Sequence, residues 1–137
     1  MSDCIFCKII DGEIPSAKVY EDEYVYAFLD ISQVTKGHTL VIPKKHSANI
    51  FETDAEIASE VFARIPKIAN AIKDTYNPQG MNLLQNNGEF AYQSVFHLHI
   101  HLIPRYDEKD GFGLKWETHN DEYDLGQIAS EISENIK

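Results

Sequence analysis

Three histidines recur at every second position in His97-Leu98-His99-Ile100-His101. On a strand, alternate side chains share a face, and same-face neighbours lie about 6.7 Å apart. Adjacent imidazoles could therefore meet one metal ion or one substrate. A lone histidine in such a place is most often a satisfied, partly buried side chain. Three on one face are different: charged, they repel, and neutral, they leave ring nitrogens without partners. Two chemistries fit. His-x-His on a strand can grip zinc. Alternatively, a neutral imidazole can attack phosphorus while neighbouring donors stabilise the developing charge. A neutral nucleophile must donate from its far ring nitrogen to an acceptor, usually a backbone carbonyl, which fixes the tautomer and frees the near lone pair.

The chain's two cysteines, Cys4 and Cys7, have Cys-x-x-Cys spacing. A redox pair of this spacing usually sits between a strand and a helix N-terminus. Only three residues precede Cys4, too few for that strand. A structural disulfide is disfavoured in a reducing compartment. Half of a zinc site is the better reading, with a pair of inert or redox thiols as its rival. Two thiolates need two more ligands, and six histidines are available. A Cys2His2 set is full at four ligands, so it makes a closed structural site, not a water-activating one. If zinc takes one strand histidine, the others remain free for substrate.

Gln85-Asn86-Asn87-Gly88-Glu89 and Gln93-Ser94 lead into the histidine segment. Amides and a hydroxyl bind ribose and phosphate oxygens without adding charge, although a plain polar turn has the same composition. Asp30 closes an apolar stretch and could accept from paired ribose hydroxyls or simply cap a turn. Lys44-Lys45 reads as surface.

Those groups need positioning elements. Lys18–Glu21 and Tyr24–Leu29 read as strands rich in Val, Tyr and Phe, joined by Glu21-Asp22-Glu23. His38–Pro43 reads as a third strand, punctuated by Gly37 and Pro43. Thr53–Tyr76 reads as the one long helix. Thr53-Asp-Ala-Glu56 has the form of a capping box. Ile57, Val61, Phe62, Ile65, Ile68, Ala69 and Ile72 form its apolar stripe, and Pro66 should kink it. Asn82–Gln85 reads as a fourth strand. Val95–Ile103 reads as a fifth, with Phe96, Leu98, Ile100 and Leu102 opposite the histidines. Asp121–Ile136 reads as a terminal helix. Strands in a run, with helices between and after them, indicate an α+β fold with a mainly antiparallel sheet. The long helix should cover the apolar face of that sheet and leave the histidine face for chemistry.

The 137 residues and 15.6 kDa suit a single domain, 1–137, able to bury a core without disulfides. An apolar fraction of 43% and a charged fraction of 25% are ordinary globular values and exclude fibrous or disordered chains. No repeat is visible, no apolar run approaches the ~20 residues that span a bilayer, and the start, Met-Ser-Asp-Cys, lacks the form of a secretory signal. The expectation is a cytoplasmic protein. The formal charge of −10 argues against nucleic acid or an anionic membrane as partner. Residues 107–137 carry nine acidic residues against three lysines, an acidic C-terminal extension that reads as solvated surface. The remainder does not forbid a small phosphate ester in a local pocket.

His97-Leu98-His99-Ile100-His101-Leu102-Ile103 resembles the His-φ-His-φ-His-φ-φ signature of the histidine-triad (HIT) superfamily. Ile5-Phe6-Cys7-Lys8-Ile9-Ile10, Ile14-Pro15, Phe28-Leu29-Asp30-Ile31, Gly37 to His46 and Gln93-Ser94-Val95 resemble its Hint branch, in order. The resemblance runs from about Cys4 to Arg105, and the chain as a whole is similar to bacterial Hit-like proteins.

The resemblance implies a five-stranded, mainly antiparallel sheet with one long helix and a C-terminal helix, and a homodimer. It implies hydrolysis or transfer at the α-phosphate of a nucleoside 5′-phosphate derivative, above all a purine nucleoside phosphoramidate. His99 would be the nucleophile of a nucleotidyl-histidine intermediate. Ser94 would hydrogen-bond the bridging or leaving atom, His101 and Gln93 would bind phosphate oxygens, and Asn86 would help hold the nucleotide. His38 matches the family's fourth histidine. Asp30 would take the ribose hydroxyls, and Ile5, Phe6, Ile9, Phe28, Ile31 and Leu40 would form the slot for a base. In zinc-bearing members the corresponding ligands would be Cys4, Cys7, His46 and His97, a structural zinc. Family members often carry Gly before the Gln-Ser pair. Here it is Tyr92, preceded by Ala91, and a bulky ring would reshape the leaving-group side. Leu102-Ile103-Pro104-Arg105 is more similar to the Fhit branch, which cleaves dinucleoside polyphosphates. A zinc-dependent hydrolase and a non-catalytic nucleotide-binding protein are further alternatives.

Overall fold

The sheet is ordered β1(Lys18–Glu21)-β2(Val25–Leu29)-β3(Thr39–Pro43)-β5(Ile100–Arg105)-β4(Gly80–Leu84), and every neighbouring pair is antiparallel. This computed structural model describes residues 3–137. Met1 and Ser2, on which part of the reading of the chain's start rests, lie outside the described residues. Three helices complete the α+β fold: α1(Ile5–Ile10), α2(Ala55–Tyr76) and α3(Leu125–Ser133).

The two-residue period of the strands divides the core into two layers. On one face Val25, Ala27, Val41, Ile100 and Leu102 pack against Val61, Ile65, Ile68 and Ile72 of α2. On the other, Tyr26, Phe28, Leu40 and Ile42 pack with Phe6 and Ile9 of α1. β2 and β3 are thus covered on both sides and almost wholly buried. Gly37 enters β3 at φ +97°, and a Cβ there would sit 3.4 Å from both Pro104 and Tyr76, so the position calls for glycine on both counts.

α2 covers the sheet as expected, but its ends and edges differ from the sequence reading. Asp54 is its N-cap and makes no side-chain cap bond. Thr53 forms no capping box, because its hydroxyl donates to the Asn49 carbonyl (2.7 Å) inside the preceding loop. The helix runs through Pro66, which lies on the solvent face, and Phe62 falls outside the buried stripe.

The fifth strand begins at Ile100, five residues later than the pattern suggested. Pro43 supplies the reason. It has no N–H to continue the ladder, and its carbonyl accepts from the His97 ring (2.8 Å). Leu98 N–H turns instead to the Ser47 carbonyl (2.8 Å). Phe96 consequently leaves the apolar face and is half-exposed, while Leu98, Ile100 and Leu102 stay on it. β4 starts two residues earlier than expected, and Gln85 falls into the loop after it. The terminal helix is shorter than expected, capped by Asp124, and buries none of its residues. α1 was not anticipated. Among the described residues, no helix is long and apolar enough to cross a membrane.

Candidate functional site

The histidines occupy the segment that leaves Pro43 and enters β5, and each ring is oriented by a hydrogen bond that fixes its tautomer. His97 is fully buried, and its Nε2–H donates to the Pro43 carbonyl (2.8 Å). A carbonyl only accepts, so the proton is on Nε2 and Nδ1 presents a lone pair. That lone pair lies 3.4 Å from Cys4 Sγ, 3.7 Å from Cys7 Sγ and 3.2 Å from His46 Nδ1. Cys7 Sγ is 3.5 Å from His46 Nδ1.

These four ligand atoms lie within 4.8 Å of one another. A tetrahedral zinc with ordinary Zn–S and Zn–N bonds has N···S edges of about 3.5 Å and an N···N edge of about 3.3 Å. The donor set therefore fits a zinc ion in both chemistry and spacing. Cys4 is the N-cap of α1, its sulfur accepting from Cys7 N–H (3.3 Å), which places both thiols on one short turn. Neither cysteine is in a disulfide. Burial and the adjacent Cys4 push the Cys7 thiol up to about 11, so an electropositive centre would be required to hold it as thiolate at neutral pH.

His99 is turned differently. Its Nδ1–H donates to the His97 carbonyl (2.7 Å), which leaves the Nε2 lone pair uncommitted. The ring packs edge-on against Phe6 (5.2 Å between centroids) and against His101 (5.0 Å). His101 is set by a relay. Val34 N–H donates to His38 Nδ1 (3.2 Å), so His38 carries its proton on Nε2 and donates it to His101 Nδ1 (2.9 Å). The remaining proton of His101 is then on Nε2, where it can donate outward. Asp30 Oδ2 stands 3.6 Å from His38 Nε2, and its Oδ1 caps Ser32 N–H (2.8 Å).

Burial, with the neighbouring rings, pulls His97 and His101 from the ordinary 6.5 down to about 4. Burial also lowers His99 and His38. All four are neutral at pH 7, as one nucleophilic lone pair and one neutral donor require.

The loop before the histidines is held by Gln93, which is 3% exposed. Its Nε2 hydrogens go to the carbonyls of Ala48 (2.6 Å) and Val95 (3.0 Å), and its Oε1 accepts from Gly88 N–H (2.8 Å). Both hydrogens are thus committed, so Gln93 orders the loop and has none left for a phosphate oxygen, contrary to the expectation. Ser94 is exposed, and its hydroxyl makes no hydrogen bond among the described residues. Asn86 Nδ2 reaches the Tyr92 carbonyl at 3.4 Å.

Of the expected base slot, Phe6, Ile9, Phe28 and Leu40 come together in one packed cluster. Ile5 is half-exposed and Ile31 is 99% exposed, so both stand outside it. The sequence gave no hint of three further contributors: the Val34 N–H, the Pro43 carbonyl and the His97 carbonyl. These are backbone groups, which every residue carries, so no side-chain pattern could have revealed them. Arg105, at the end of the Fhit-like run, binds Asn82 (2.8 Å), Asp110 (3.2 Å) and the Phe112 carbonyl, and is structural.

A family model described as HIT domain matches residues 11–108. The chain is 61% identical over 137 residues to Protein hit of Bacillus subtilis (strain 168), covering 98% of this chain and 94% of that one. It is 45% identical over 131 residues to the adenosine 5′-monophosphoramidase of Saccharomyces cerevisiae, covering 94% of this chain and 80% of that one. The crystal structure of a HIT family protein from Bacillus anthracis superposes with a TM-score of 0.97 at 63% identity, covering 99% of both chains.

Proposed function

The chain belongs to the HIT family, and on that premise we propose that it is a nucleotide hydrolase or transferase acting on nucleoside 5′-phosphoramidates through a nucleotidyl-His99 intermediate. One observation carries the reading: the His99 Nδ1–H is tied to the His97 carbonyl at 2.7 Å, which leaves Nε2 as a neutral, oriented nucleophile. The phosphoramidase name of the yeast relative supports the substrate class.

His99 Nε2 attacks the α-phosphorus, the P–N bond to the leaving amine breaks, and the departing nitrogen takes up a proton. Water then attacks the nucleotidyl-histidine, the P–N bond to His99 breaks, and a nucleoside 5′-monophosphate leaves. His101 donates from Nε2 to a phosphate oxygen, its tautomer set by His38. Ser94, whose hydroxyl is unengaged, donates to the leaving nitrogen. Asn86 helps hold the nucleotide and Asp30 takes the ribose hydroxyls. Phe6, Ile9, Phe28 and Leu40 floor the base slot, with Ile5 and Ile31 free to close on the base. Gln93 is a positioning residue.

Cys4, Cys7, His46 and His97 would hold the zinc, whose four bonds would pin α1 to the sheet and supply no open position for water. His99 and His101 are not among its ligands, which favours a metal-independent chemical step. β4 lies at the edge of the sheet with one side unpaired, which is compatible with the homodimer that the resemblance implies. The matched family region ends at residue 108, which supports treating 107–137 as an extension.

The test is denaturing mass spectrometry after millisecond mixing with adenosine 5′-phosphoramidate. A nucleotidyl adduct mapped to His99 is the expected result. Turnover with no adduct, abolished by stripping the metal from folded protein, would favour a zinc hydrolase. Binding with neither adduct nor product would mark a non-catalytic binder.

A further inference from the structure

We infer that Phe90 and Tyr92 form an aromatic platform for the leaving group, so that this protein selects substrates whose leaving group carries a flat ring. The inference rests on the nucleotidyl-histidine reading and adds the leaving-group class to it.

Both rings stand fully in solvent, Phe90 at 101% and Tyr92 at 87% exposed. Isolated exposed apolar side chains are common and call for no explanation. These two are separated by one residue on a loop that is itself fixed. Tyr92 N–H donates to the Glu89 carbonyl (2.9 Å), Gln93 N–H to the Gly88 carbonyl (3.0 Å), and the buried Gln93 amide ties the loop to Ala48. The rings therefore project from a rigid base, as a stacking surface must if binding is not to cost the ordering of the loop.

Tyr92 also has φ +72°. That left-handed region suits Gly or Asn, and a bulky residue there is disfavoured. The backbone alone would select glycine at this point. A phenol ring is kept against that preference, and strain of this kind gathers at ligand-binding loops.

Position supplies the third argument. Tyr92 lies two residues before Ser94, so their Cα atoms are at most about 7 Å apart. The unengaged Ser94 hydroxyl also lines a cleft of about 370 Å³ walled by Ile5, Val95 and Phe96. A leaving group held by Ser94 thus meets aromatic or apolar surface on each side. Two leaving groups share the needed chemistry: an aryl amine, and the second base of a dinucleoside polyphosphate. The carboxylate of Asp3 at the cleft and the formal charge of −10 disfavour the polyanionic one.

The experiment compares kcat/KM for adenosine 5′-phosphoramidates of methylamine and of an indolyl-ethylamine, with diadenosine triphosphate as a third substrate, in the full chain. Wild type should prefer the indolyl amide to the methyl amide by about tenfold or more, chiefly through KM, and should turn over the triphosphate least. Phe90→Ala and Tyr92→Gly, the second of which also relieves the backbone, should each cut the preference by about 2- to 12-fold, the range of an aromatic contact. Tyr92→Phe should retain it. Unchanged selectivity in the double variant, with methyl-amide turnover intact, overturns the platform and leaves the nucleotidyl-histidine reading standing. So does a double variant that loses only self-association in sedimentation, because the rings would then be a contact between copies. No turnover of any of the three substrates by wild type overturns both.

Discussion

The histidine end of the sheet and the C-terminal arm after residue 106 are both rich in ionisable and polar groups, and they satisfy them in opposite ways. At the histidine end each ring has a named partner: Pro43 for His97, the His97 carbonyl for His99, His38 for His101 and Val34 for His38. In the arm the carboxylates face water, and α3 buries no residue even though Leu125, Ile128 and Ile132 recur at helical spacing. The difference teaches that ionisable residues become reactive groups only where the backbone covers them and dictates their protonation. The arm has charge without enclosure, and its groups behave as solvated surface.

The comparison breaks most sharply at His99. His99→Ala should lower turnover at least about 1,000-fold while the fold persists, checked by single-turnover kinetics with circular dichroism as control. Residual turnover within tenfold of wild type would remove the nucleophile from the histidine end.

Next in size is the metal tetrad. Cys7→Ser should abolish bound zinc and cost on the order of 4 kcal/mol, because it leaves an incomplete site between α1 and the sheet. Elemental analysis and urea unfolding check this, and unchanged stability would mean that no metal pins α1. Gln93→Leu should cost about 2 kcal/mol by stranding the Gly88 N–H and the Ala48 and Val95 carbonyls. Urea midpoints measure it, and a neutral substitution would show that water replaces the amide.

Acid should reveal the enclosure in a graded way. His97 and His101 are held near 4 in the folded chain against an ordinary 6.5. Between those values the unfolded chain binds more protons, so stability rises with pH through that window. Full stability is therefore expected above about pH 6.5, with a decline as the pH falls toward 4. A urea midpoint that stays flat over that range would show that the rings can protonate in place. The smallest effect belongs to the arm. Asp124→Ala removes the cap on Gln127 N–H, worth about 1 kcal/mol to α3. With nothing packed on that helix, the global midpoint should move by less than about 0.5 kcal/mol. Faster amide exchange confined to α3 would sharpen the contrast, and a large global loss would mean that the arm is covered.

Much of this was legible in the residues. The alternation of Val25, Ala27 and Val41 against Tyr26, Phe28, Leu40 and Ile42 fixes which side of the sheet meets α2. The spacing of Val61, Ile65, Ile68 and Ile72 fixes which side of α2 meets the sheet. Both follow from local periodicity, which each segment carries by itself. The Cys-x-x-Cys pair and the surplus of histidines likewise limited a zinc site to four ligands, because coordination number is a property of the ion.

Four features had to wait for the tertiary structure. Pro43 cut β5 short, and the effect depended on which residue lay across the ladder. Thr53 gave its hydroxyl to a loop carbonyl in place of the helix it precedes. Gln93 turned inward, although an amide in a polar turn looks the same from its neighbours in sequence. Above all, the tautomers of His97 and His99 are opposite, and nothing in His-Leu-His distinguishes them. The sequence determined that these groups would be present and on which elements. Folding decided which nitrogen of each ring carries the proton, because that depends on backbone carbonyls brought near from residues such as Pro43, far along the chain.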